Sequence, residues 1–167
     1  KVYENQKTIN NLEKMLTEHL LKLTNVSSPD HQHLIVTNSF YTVNDIERVG
    51  DHTENIAEQV EYMINNQIHF SETGKKDIQD IGNTAAKAFA YSIECWEKNS
   101  KEALRKVINL EDDVDTLEED LRAKHIQRLS AGECDPSSGV VFLDIIGNLE
   151  RISDHATNIV GYVRDEL

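Results

Sequence analysis

The sequence predicts an all-α protein: an antiparallel helical bundle made of two pseudo-repeated three-helix units, the first lacking its leading helix. Three observations predict it. Apolar residues recur at three- and four-residue steps over most of the chain, and no useful stretch alternates with period two. Two prolines and seven glycines among 167 residues leave few breaks. A twelve-residue stretch, Asp45 to Ile56, returns as Asn148 to Ile159, with Glu, Arg, Asp, His, Asn and Ile at identical spacing. Each residue of the second copy lies 103 positions after its partner, which marks an internal duplication.

The first helix is expected over residues 1–25, with Ile9, Leu12, Leu16, Leu20 and Leu23 as its seam. Val26-Ser27-Ser28-Pro29-Asp30 is a break in which Ser28 can cap and Pro29 can take the first helical position. A long second helix runs from about Asp30 to Asn66, its stripe built from Val43, Ile46, Val49, Thr53, Ile56, Val60 and Met63. Gly50 costs that helix about 1 kcal/mol against alanine, so a close approach there is expected. Ser71 opens a third helix to about Lys98, with Ile78, Ile81, Ala85, Ala88, Phe89, Ser92 and Trp96 inward. Asn99 or Ser100 caps a fourth, seamed by Leu104, Val107, Leu110, Val114, Leu117 and Leu121 and stopped near Gly132. Asp135-Pro136 starts the fifth, on Val140, Ile145, Leu149, Ile152, Ile159 and Val163.

The repeat reaches further: Thr8 to Glu13 aligns with Asp113 to Glu118, offset by 105. Helices one and two therefore match helices four and five. The whole is read as one domain, 1–167, with a truncated first repeat at 1–70 and a second at 71–167. Short loops between antiparallel neighbours give a bundle.

A net charge of −13 excludes a nucleic-acid binder, which needs a basic face, and opposes docking on an anionic membrane surface. Cys95 and Cys134 form no metal spacing and read as reduced thiols. No run of about 18 apolar residues spans a bilayer, and no signal-like segment appears. The chain opens at Lys1 rather than Met, so a piece cut from a longer chain is expected.

The acids carry the chemistry. On a helical wheel Glu47 and Asp51 lie one turn apart on the face opposite Val49, and Glu150 and Asp154 repeat this on the fifth helix. Like charges so placed repel unless a cation neutralises them. Glu111 and Asp115 form a third such pair at the edge of the fourth helix's seam; the matching Gln6 and Asn10 are neutral. Oxygen-only donors suit hard cations such as magnesium, calcium, manganese or iron. The plainer reading of each pair alone is a solvated face, and the exact duplication is what favours the cation. His52 and His155 sit toward the apolar sides and read as packed, hydrogen-bonded side chains. No Glu-x-x-His, nucleophile–base grouping or phosphate loop appears.

The doubled Glu-Arg-[Val/Ile]-[Gly/Ser]-Asp-His-x-x-Asn-Ile motif, in an acidic helical chain, resembles the PhoU family of phosphate-uptake regulators. The resemblance implies two three-helix units and multinuclear metal clusters, with Glu47, Asp51, Glu111, Asp115, Glu150 and Asp154 as ligands. The implied metal is iron, manganese, magnesium, calcium or zinc. It also implies a non-catalytic regulator whose partner is a membrane phosphate transporter, in cis or in trans, with a homodimer as a further candidate. Asn5 to Ile9, Asn44 to His52 and Phe70 to Lys75 are similar to the PhoU-like cytoplasmic tail of bacterial sodium-dependent phosphate cotransporters. That places the chain in the cytoplasm, at the inner face of the cell membrane. A free-standing PhoU-type regulator is the alternative. A carboxylate-bridged metal enzyme and a plain helical interaction module are the remaining classes.

Overall fold

Capping chemistry sets where the helices begin. The computed structural model describes residues 1–24 and 30–164, and no strand occurs among them. Five helices follow one another among the described residues: α1 (Val2–Thr24), α2 (Asp30–Asn65), α3 (Glu72–Lys98), α4 (Lys101–Ser130) and α5 (Pro136–Arg164). The Ser71 hydroxyl accepts from the Gly74 N–H and the Ser100 hydroxyl from the Ala103 N–H, each satisfying a donor that the first turn leaves open. Asn99 instead ends α3 in the left-handed region, at φ 48°. Gly132, at φ 72°, follows the end of α4, and the Asp135 carboxylate receives the Ser138 N–H at the start of α5. The expected break with Ser28 and Pro29 lies outside the described residues.

The helices α3, α4 and α5 pack on one another as a three-helix unit, α2 packs on α5, and α1 packs on α2 alone. The core follows this arrangement. Ile81, Ala85, Val114, Leu121, Phe142 and Ile146 form its centre, and Ala88, Cys95, Val107, Ala156 and Val160 continue it toward the far end. The alanines of α3 let α5 come close, as their spacing predicts.

The leucine seam of α1 fares differently. Leu12, Leu16 and Leu23 are exposed, and Gln6 is the one buried residue of that helix. On α2 the stripe is likewise only part-buried, with Val60 exposed and Val49 buried. The reason is that α1 has a neighbour on one side only, so a seam that would be covered in a three-helix unit meets solvent here.

The two copies of the motif meet where α2 crosses α5. The rings of His52 and His155 stack with centroids 5.4 Å apart. His155 Nδ1 donates to Asp45 Oδ1 at 2.7 Å, and His52 Nδ1 pairs with Asn148 Oδ1 at 2.9 Å. Asn158 and Asn55 donate to the same two oxygens. Asp45 and Asn148 are themselves repeat partners, so the network is two-fold symmetric in layout with an acid on one side and an amide on the other. The histidines are packed and hydrogen-bonded, as their wheel positions predict. Tyr162 lies against Asp45, and burial, then this hydrogen bond, pushes its phenol up to about 12.

Asp45 is 4% exposed. Asp45→Asn is expected to change stability by no more than about 1 kcal/mol, because Asn148 already shows that an amide oxygen accepts both bonds. Asp45→Ala leaves the part-buried His155 donor without its acceptor and is expected to cost about 1–3 kcal/mol. Urea denaturation of the two variants checks the difference.

Candidate metal centre

The fourth and fifth helices lie side by side, and their acids face one another across the seam. One carboxylate oxygen from each of Glu111, Asp115 and Asp154 lies within 4.8 Å of the others. Helical spacing brings Glu111 and Asp115 together on α4; only the packing of α5 adds Asp154. Glu150, one turn before Asp154, feels the charges of Asp154 and Asp115.

Burial, and then crowding, raises the carboxyls of Glu111, Asp115 and Glu150. Burial pushes the Glu111 carboxyl up, and the charges of Asp115, Asp112 and Asp154 push it further. Asp115 is raised by partial desolvation and then by Asp154 and Asp112. Glu150 is raised by burial and then by Asp154, with Arg151 opposing. A bound cation would remove the repulsion between acids placed in this way. The donor set fits a hard metal ion, since every group offered is oxygen.

Two participants escaped the sequence reading. Glu118 is 9% exposed, an unusual burial for an acid, and its carboxylate takes a hydrogen bond from Arg122. Together with His52, Asp144, Asn148 and Glu150 these two line a polar cavity of about 490 Å³ beside the carboxylates. The signal was present in the repeat, where Glu118 aligns with Glu13, and four residues after Val114 it follows the seam.

The first copy of the motif is arranged otherwise. Glu47 and Asp51 are neighbours on α2, and Arg48 approaches both, with Nε 3.8 Å from Glu47 and Nη1 3.6 Å from Asp51. Burial, then Asp51, raises the Glu47 carboxyl, while Arg48 lowers it. From α1 comes the Gln6 amide, which donates to Asp51 Oδ1 at 2.7 Å. The six sequence-predicted residues therefore fall in two places, four at the α4–α5 seam and two under Gln6 and Arg48.

A duplicated helical bundle with facing carboxylates on paired helices is the class that fold and site define. The PhoU domain model matches residues 1–60 and 78–163, and the chain belongs to the PhoU family. It is 26% identical over 70% of its length to PhoU homolog 1 of Thermotoga maritima, named a phosphate-specific transport system accessory protein. It is 24% identical over 90% of its length to the Clostridium acetobutylicum PhoU homolog of the same description, and 23% identical over 95% to Thermotoga maritima homolog 2. The matches span 49%, 68% and 67% of those proteins. No solved structure matches the chain with significance.

Proposed function

We propose that this chain is a metal-binding regulatory module of phosphate uptake that acts on a membrane phosphate transporter and is not an enzyme. The observation that carries the reading is the convergence of Glu111, Asp115 and Asp154, from two helices, in a PhoU-family chain. With Glu150 these residues would hold iron, manganese, magnesium, calcium or zinc. The ion would neutralise the acids and offer positive charge to phosphate oxygens. Glu47 and Asp51 are the corresponding pair of the first unit, within the proposed division into 1–70 and 71–167.

The accessory-protein names of the relatives favour a regulator that meets its transporter as a separate protein. A second reading makes it the cytoplasmic domain of a sodium-dependent phosphate cotransporter, supported by the three stretches at Asn5, Asn44 and Phe70. Both readings put it in the cytoplasm at the membrane's inner face. Among the described residues no helix is long and apolar enough to cross a membrane. A net charge of −13 speaks against nucleic acid as a partner.

The test is phosphate uptake in cells that depend on this chain for regulation. Glu150→Ala with Asp154→Ala is expected to abolish the response of uptake to external phosphate while the protein stays folded. An unchanged response, with unchanged metal content, would favour the plain interaction module. Turnover with ferrous iron and peroxide would favour the enzyme.

A further inference from the structure

We infer that the first unit's counterpart of the metal site is closed by the chain's own groups, so that each chain carries one metal centre and not two. The stoichiometric half of this rests on the metal reading of the α4–α5 seam; the closure itself rests on geometry alone. Under the repeat, Gln6 and Asn10 stand where Glu111 and Asp115 stand, and Asp51 where Asp154 stands. Gln6 is 3% exposed. Its Nε2 donates to Asp51 Oδ1 at 2.7 Å and to Asn10 Oδ1 at 3.0 Å. Two N–H donors thus take oxygen lone pairs that a cation would need, and Arg48 supplies the positive charge from the other side. A neutral amide and a guanidinium stand in for the ion.

Backbone space makes the closure possible. A Cβ at residue 50 would lie 2.0 Å from Gln6 Oε1, so glycine is what allows the amide to seat. The repeat partner of Gly50 is Ser153, beside the carboxylate that faces Glu111 and Asp115. Gln6 Oε1 is buried without a hydrogen-bond partner. Turning the amide over would set that oxygen against the Asp51 carboxylate, so the donor orientation is fixed by charge. Because Gln6 is also the buried residue of α1, the same amide ties α1 to α2.

The experiment compares wild type, Gln6→Glu, Gln6→Glu with Asn10→Asp, and Gly50→Ala. Each is melted in EDTA and in Mn²⁺, and bound Mn²⁺ is counted after equilibrium dialysis. Gln6→Glu is expected to lower Tm in EDTA by about 5 °C, since it sets a carboxylate against Asp51. The double variant should recover in Mn²⁺ and bind one more class of Mn²⁺ than wild type. Gly50→Ala displaces the amide without adding charge; it should gain no Mn²⁺, and its Tm in EDTA should fall because loss of the charge-assisted Gln6–Asp51 bond outweighs what alanine gains over glycine in a helix. Should wild type bind no Mn²⁺ at all, the seam reading fails, and the EDTA melts still decide the closure. Gln6→Glu and Gly50→Ala melting like wild type in EDTA would overturn it, as would a class of wild-type Mn²⁺ lost on Asp51→Asn alone.

Discussion

Glu111→Gln with Asp115→Asn and Asp154→Asn is expected to weaken Mn²⁺ binding by on the order of 100-fold or more, because three charged donors become neutral. Isothermal titration reads this directly. Stability reads it with the sign reversed. In wild type the folded state partly buries and crowds these acids, and Glu111, Asp115 and Glu150 all hold their protons above the ordinary carboxyl range. A carboxyl whose folded pKa is raised contributes stability that is present below its unfolded value and is lost as pH rises through the folded one. In EDTA, wild type should therefore become less stable as pH climbs through and just above the carboxylate range. The amide variant should keep only the smaller share of that slope that comes from Glu150 and Glu47. At neutral pH in EDTA it should melt above wild type, and in saturating Mn²⁺ the order should invert. Mn²⁺ at about 100 times its Kd adds about 2.7 kcal/mol to wild type. For a chain of this size that is a Tm rise of about 5–10 °C. Identical melting of the two proteins with and without Mn²⁺ would remove the metal from the account.

Leu121→Ala is expected to destabilise the protein by about 2–5 kcal/mol, whereas Leu16→Ala should cost under about 1 kcal/mol. The two leucines are repeat partners on α4 and α1. Leu121 is 3% exposed and sits in the core among Val114, Phe142 and Ile146; Leu16 is 46% exposed. Truncating the first leaves a cavity that α3 and α5 cannot close without moving. Truncating the second removes side chain that water already reaches. Urea denaturation gives both values. Equal losses would mean that α1 is covered in solution.

Much was open to reading along the chain because helices are local objects. Hydroxyls at Ser71 and Ser100 announced two starts, and Asp135-Pro136 a third. Asn99 is the instructive exception, an alternative cap for α4 that instead closes α3 in the left-handed region. The choice between two adjacent capping residues depended on a backbone angle that composition does not specify. The acids of each helix were also readable, since residues one turn apart share a face whatever lies opposite.

The sequence by itself determined five helices, their duplication, and which face of each carried carboxylates, because a 3.6-residue period fixes a side chain's direction relative to its own axis. Only the tertiary structure decided what each face meets. It gave Glu111 and Asp115 a third carboxylate in Asp154, gave Asp51 an amide, buried Glu118, and left Leu16 in water. Those outcomes turn on which helix lies across the gap and how near it comes, and nothing within a single helical turn encodes that distance.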